Sequence, residues 1–381
     1  MSQSILLKQD FNFEVPSELV AQNPIKNRDE AKLLVYKYQQ IQDSVISHLA
    51  DSIPENSLII FNNSKVIPSR IRFKTSSNAQ KDNAEILLLE PVSFQENPNA
   101  LNTTETWRAL ARPIKKLKLG LNLDLGHGLN ANIVRIPTSI QDSVQTIDIE
   151  LSLQGLKLTD WLNKHGEMPL PPYIERRFQS AEVAAIDRNR YQTIYADGEG
   201  SVAAPTAGLH FTDKVLESLK RKNCKFQYVT LHVGPGTFLP VKSNVPAEHQ
   251  MHSERFFVPE SVLNSINTAK HSGTKVIAVG TTSFRCLEGL FAIAHQQKID
   301  INQLADRWLR TDIFIYPRNR DDRFKSWFAD AIMTNFHQPE STLFMLVCSL
   351  IGYNQTKELY SHAIAKNYRF FSYGDSSLLW L

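Results

Sequence analysis

Residues 200–238 read GSVAAPTAGLHFTDKVLESLKRKNCKFQYVTLHVGPGTF. Glycine and proline punctuate both ends of this stretch, at Gly200, Pro205, Gly208, Gly234, Pro235 and Gly236, and each polar segment carries a histidine, His210 or His232. Glycine lets backbone approach a ligand closely, and proline stiffens the loop that does so. Between the loops, Val215, Leu216 and Leu219 recur at helical spacing behind Thr212, a residue suited to cap a helix. Lys220, Arg221 and Lys222 crowd the last turn, where positive charge is favoured. Phe226 to Val233 then reads as a strand. The order loop, helix, strand, loop belongs to an α/β fold. Two readings of the loops stand side by side: ordinary turns, which Gly and Pro mark first, and segments shaped to face a ligand.

The surrounding chain has 381 residues, enough for two domains or one with a large insertion. At 42% hydrophobic and 21% charged, with net charge +3, it has the composition of a soluble globular protein. That balance permits a nucleic-acid partner without requiring one. No apolar run is long enough to span a membrane, and the first residues lack the pattern of a secretory signal. Cys224, Cys286 and Cys348 are scattered, which fits free thiols in a reducing compartment rather than a disulfide or zinc framework.

Upstream, a short helix is expected around Ser17 to Gln22, and strands at Ala31 to Tyr36 and Ser57 to Asn62, the latter leading into polar Asn63, Ser64 and Lys65. From about Val66 to Leu151 the character changes: VIPSRIRFK, AEILLLE, TWRALAR, LNLDL, ANIVRI and TIDIEL are short β-rich runs between turn clusters. They predict a small inserted sheet or barrel. Lys115, Lys116 and Lys118 in PIKKLK guard an exposed strand edge or contact phosphate. A helix from Leu158 should end at Gly166, PLPPYI must be extended, and Asp187 to Ala196 should be helical.

Downstream, HQMHSE (249–254) places two histidines and a carboxylate close together, but the spacing is not that of a helical zinc motif. KVIAVG runs into Thr281-Thr282-Ser283 and a helix carrying Arg285, either an anion site at free helix amides or a plain capped helix. DIFIY (312–316) and Ala331 to Met333 are expected strands. TNFHQPEST (334–342) then sets a histidine before an apolar helix, and Asp375 follows Gly374 in a turn.

These segments, together with FNFEVPSELVAQNP, FNNSKVIPSRI, MPLPPYIERR, DRNRYQTIYA and YRFFSYGD, closely resemble the S-adenosylmethionine:tRNA ribosyltransferase-isomerases of queuosine biosynthesis, in order and over nearly the whole chain. The resemblance implies a mixed-sheet α/β main domain (1–65 and 156–381) around an inserted small β-barrel domain (66–155). It implies a cytoplasmic enzyme, without metal or cofactor, that consumes S-adenosylmethionine as a substrate. The ribosyl moiety goes to tRNA carrying 7-aminomethyl-7-deazaguanine at the wobble position, giving epoxyqueuosine with release of adenine and methionine. A monomer is expected. Ser64-Lys65, Gln338, Glu340 and Ser376-Ser377 depart from the usual pattern, and Glu340 reverses a charge beside His337.

Such chemistry needs a base, amide donors or a cation for the methionine carboxylate, and cations for tRNA phosphates. The expected catalytic groups are His210, Glu254, His337 and Asp375, with His210 favoured as base. Expected substrate contacts are Thr206, Gly208, His232, Gly234, Gly236, Thr237, His252, Gly280, Thr281, Thr282, Arg285 and Asn335. The polar loops bearing His210, His232, His252 and His337 are expected to converge on one pocket. Lys115, Lys116, Lys118, Arg176, Arg177 and Arg188 are expected to meet tRNA. The rival readings are a methyltransferase, for which VGPG lacks the following helix, and a non-catalytic tRNA-binding protein. Adenine release separates the three.

Overall fold

The structure, a computed structural model, describes residues 5–73, 84–92, 102–114, 117–136, 146–176, 180–234 and 241–381. In chain order the strands are β1 (Lys32–Lys37), β2 (Gln40–Val45), β3 (Leu58–Asn62), β4 (Ser64–Val66), β5 (Arg70–Phe73), β6 (Ala84–Pro91), β7 (Asn102–Arg112), β8 (Asn122–Asp124), β9 (Asn130–Arg135), β10 (Ile147–Gln154), β11 (Gly198–Ser201), β12 (Lys225–Leu231), β13 (Glu254–Phe257), β14 (Val276–Val279), β15 (Trp308–Thr311), β16 (Ala331–Asn335) and β17 (Ser376–Trp380). The helices are α1 (Leu158–His165), α2 (Ala181–Arg190), α3 (Asp213–Arg221), α4 (Glu260–His271), α5 (Gly280–Gln297), α6 (Thr342–Ile351) and α7 (Tyr353–Ala365).

A nine-stranded mixed sheet in the order β15-β13-β12-β3-β14-β16-β17-β1-β2 forms the larger body. Its centre, β12-β3-β14-β16, is parallel. Strands β3 and β14 are fully buried and apolar but for Asn62 at the end of β3, as parallel strands covered on both faces must be. Helices α6 and α7 pack into one apolar cluster with Ile332 and Leu379, and α3 packs into another with Phe61 and Val279. Thr212 caps α3 as read, its hydroxyl accepting from the Val215 amide at 3.3 Å.

The second sheet is antiparallel, ordered β5-β6-β7-β10-β9-β8. Its strands are the six runs picked out by turn spacing, and its inward residues, among them Ile86, Leu88, Ala109, Ile133 and Ile149, form a core of their own. Leu158, Trp161 and Leu162 of α1 join that core. Among the described residues β5 and β8 form the two ends of the sheet order. A short parallel pair joins β4, just ahead of this region in the chain, to β11.

Several local expectations are corrected. Residues 312–316 are not a strand; β15 precedes them, because Trp308 to Thr311 is the stretch that finds β13 as its partner. The helix before the opening loop starts earlier and stops at Arg190. Ser17–Leu19 is only a single 3-10 turn. Strands β2, β13 and β17 and helix α4 had no expectation attached to them.

Candidate active site

The carboxyl ends of β14 and β16 and the segment entering β17 lie side by side, since β17 runs antiparallel to β16 with Asn335 opposite Ser376. A partly open cleft lies there. Clefts outside the carboxyl ends of parallel strands are the usual ligand sites of open α/β sheets. Its walls come from 204–207, Val233, 280–282, 334–338 and 371–372, with Tyr173, Ser341 and Leu343. Of the four histidine-bearing loops, those of His210, His232 and His337 each reach the cleft, the second through Val233 alone, whereas the loop of His252 does not; the histidines themselves do not meet.

His337 alone of the histidines expected at the site lines the cleft. Its ring Nε2 lies 2.8 Å from the Thr334 hydroxyl, and its backbone N–H donates to the Tyr360 hydroxyl at 3.0 Å. Burial holds its pKa at about 3, so the ring is neutral near pH 7. His210 is buried away from the lining. Its Nε2 is 2.9 Å from Asn335 Oδ1, while Asn335 Nδ2 donates to the Phe371 and Ser372 carbonyls at 3.0 and 3.3 Å. Those two carbonyls fix the amide's orientation, so Oδ1 is the atom facing His210 and the ring donates through Nε2. Burial first, against the bond to Asn335, lowers His210 to about 4. His232 stacks on Trp308 at 5.0 Å and 15°, against Gly200, and burial lowers it to about 4. His252 is half-buried and off the cleft, its pKa lowered by burial.

The two carboxylates are fasteners. Glu254 pairs with Arg285, each 5% exposed, and accepts the Gly234 amide at 2.9 Å. Asp375 accepts the amides of Lys32 at 2.9 Å and Arg369 at 2.7 Å, joining the start of β1 to the turn before β17. Burial raises its pKa. Neither group lines the cleft, nor does Arg285.

At the start of α5, Gly280, Thr281 and Thr282 do face the cleft. Val279 supplies no side-chain cap to the first-turn amides. Gly280 has φ +88°, a conformation that favours glycine. The Thr282 hydroxyl is buried without a partner. Thr206 and Asn335 line the cleft; Gly208 does not, and serves packing, since a Cβ there would lie 2.1 Å from the Tyr195 hydroxyl. Gly234 flanks the site through Glu254.

The expected phosphate-binding arginines are engaged elsewhere. Arg176 holds Asp187 in a two-pronged pair at 2.8 and 3.1 Å and donates to the Gln22 carbonyl. Arg188 donates to the carbonyls of Asn163 and Gly166. Arg28 and Arg190, which carried no expectation, likewise cap carbonyls, Arg28 on Leu209 beside His210. Lys118 is exposed. Lys115, Lys116, Arg177, Gly236 and Thr237 lie outside the described residues. Glu340 pairs with Lys8 at 3.5 Å.

Sequence reasoning missed the aromatic wall. Tyr173 and Phe371 line the cleft with ring centroids 4.9 Å apart, and the Tyr173 hydroxyl sits 2.7 Å from that of Ser372. Both rings lay inside quoted motifs, PLPPYI and YRFFSYGD, where an aromatic reads as packing. Among the described residues no group of three or more metal-binding side chains occurs, and no helix is long and apolar enough to cross a membrane.

A family of sequences described as "Queuosine biosynthesis protein" matches residues 8–379. The chain is 38% identical over 376 residues to the S-adenosylmethionine:tRNA ribosyltransferase-isomerase of Treponema denticola, covering 98% of this chain and 100% of that protein. It is 40% identical to the protein of the same name from Rickettsia bellii, covering 97% and 98%. A solved structure of S-adenosylmethionine tRNA ribosyltransferase from Thermotoga maritima is similar at 28% identity and TM-score 0.49, covering 97% of this chain and 99% of that one. On the near-complete sequence matches, the chain belongs to the queuosine biosynthesis protein family.

Proposed function

We propose that this protein transfers and isomerises the ribosyl moiety of S-adenosylmethionine onto 7-aminomethyl-7-deazaguanine at the tRNA wobble position, releasing adenine and methionine. The near-full-length match to relatives bearing that name carries the reading. The cleft supports it through the cap-free amides of α5 for a methionine carboxylate. S-adenosylmethionine is a consumed substrate, and no metal is invoked.

In this reading His337 is the group that takes a proton from the sulfonium-activated 5′ carbon, because it is the expected histidine that stands on the cleft wall. His210 acts one step back, holding Asn335 rather than touching substrate. Gly280, Thr281 and Thr282 receive the carboxylate, and the primary amine of the modified base attacks the ribosyl fragment as adenine and methionine leave.

The chain divides, in the same reading, into a main domain (1–65 and 156–381) and an inserted small barrel (66–155). The core of the six-stranded sheet supports an insert, with α1 of the second main-domain segment packing into it as well. Lys118 and its neighbours on the insert meet tRNA phosphates. The enzyme works as a cytoplasmic monomer.

The test incubates purified protein with S-adenosylmethionine and tRNA bearing the aminomethyl base. Mass spectrometry of the digested tRNA should show epoxyqueuosine, with adenine and methionine released in equal amounts. S-adenosylhomocysteine as product would instead signal a methyltransferase, and no product would signal a binding protein.

A further inference from the structure

We infer that Tyr173 and Phe371 form a cation-recognising wall that receives the sulfonium of S-adenosylmethionine; this rests on the substrate named above. The cleft has no Asp, Glu, Lys or Arg among the described residues that line it. A cationic substrate entering it meets no counter-charge. Glu254 and Asp375, the buried carboxylates on neighbouring loops, are spent on Arg285 and on backbone amides. Aromatic faces attract a cation without a counter-charge, and a desolvated site strengthens that attraction.

The two rings are held for this purpose from different segments. Their planes lie at 53° with centroids 4.9 Å apart, forming an angled notch, and both side chains are half-buried. Phe371 has φ +73°, a left-handed conformation that costs a bulky residue energy. It is kept there by hydrogen bonds: its N–H donates to the Phe336 carbonyl at 3.0 Å, and its carbonyl accepts from Asn335 Nδ2 and from the Gly374 amide, each at 3.0 Å. Tyr173 is oriented by its contact with Ser372, and burial pushes its phenol up to about 12, so the ring stays neutral.

The rest of the cleft supplies polarity. The positive end of α5 follows β14, whereas Phe371 enters β17; β16 lies between β14 and β17 in the sheet. A helix N-terminus favours the carboxylate and disfavours the sulfonium. The substrate is thereby oriented, carboxylate toward α5 and sulfonium toward the aromatic wall.

Calorimetry with S-adenosylmethionine and its uncharged thioether, S-adenosylhomocysteine, tests the wall. Phe371→Leu keeps a bulky side chain at the same strained position. It should weaken S-adenosylmethionine by about tenfold, the scale of one desolvated cation–aromatic contact, and leave S-adenosylhomocysteine within about twofold. Tyr173→Leu reads the other ring independently, against Tyr173→Phe, which keeps the ring and should keep the preference for the charged ligand. Equal weakening of both ligands, or an unchanged preference in both leucine variants, overturns the inference alone. A wild-type protein that binds neither ligand overturns the substrate reading and the wall with it.

Discussion

The loop ending at His210 and the loop carrying His337 are built alike in sequence, each setting a histidine among Gly, Pro, Thr or Ser. They end in different places. Residues 206–210 wind into a 3-10 turn that carries His210 beneath Asn335, with the Arg28 guanidinium capping the carbonyl of Leu209. His337 follows the end of β16, where Tyr360 takes its amide and its ring is left on the cleft wall. Composition marks a loop that nears a ligand; the turn geometry decides which side chain faces it.

The same contrast separates the ionic groups, which fasten loops, from the uncharged cleft between them. Removing one member of the Glu254–Arg285 pair, as in Arg285→Leu, should cost about 3–5 kcal/mol in chemical denaturation, because the other charge is left buried. A loss below about 1 kcal/mol would mean that the pair is not a fastener. His337→Ala should lower single-turnover rate by roughly a hundredfold or more. His210→Ala should reduce turnover less and cost about 1–3 kcal/mol of stability, since Asn335 Oδ1 loses its buried donor. The reverse ranking of rates would break the comparison between the two loops.

A smaller effect is expected at Gly208. Alanine there meets the Tyr195 hydroxyl at 2.1 Å and the Thr193 methyl at 2.9 Å, a clash worth about 1–3 kcal/mol. The Tyr195 hydroxyl is buried without a partner, so Tyr195→Phe should recover part of the loss; no recovery would place the strain elsewhere.

The pH dependence is smallest per step. His210, at about 4 in the folded state, lies below the ordinary value near 6.5, so the unfolded chain binds more protons between those two values. Stability on that account is full above about pH 6.5 and is lost as pH falls toward about 4, at up to about 1.4 kcal/mol per pH unit. His210→Gln should flatten the slope in that window, read by denaturation at stepped pH; an unchanged slope would show that His210 is not a buried neutral ring.

Much of the fold was legible because its signals were local. Thr212 before an apolar helical face, the apolar runs from Leu58 to Phe61 in β3 and along β14, and the turn-separated runs of the second sheet each need only their own residues. β13 and β17 were not, because their pairing depends on partners far along the chain: Glu254–Phe257 on β15, Ser376–Trp380 on both β16 and β1. The cleft loops were legible as loops. The roles of Arg176 and Arg188 were not, since an arginine that caps carbonyls looks the same in sequence as one that awaits phosphate. Tyr173 and Phe371 were hidden for a related reason: only the fold separates an aromatic at a cleft wall from one in a core.

The central claim is that the cleft at the carboxyl ends of β14 and β16 is where S-adenosylmethionine is consumed. A crystal structure with that substrate bound tests it most directly. The account predicts the carboxylate on the amides of Gly280 to Thr282, the sulfonium against Tyr173 and Phe371, and the ribosyl carbons within reach of His337. Substrate seated instead against His232 and Trp308, with the cleft empty, would contradict it.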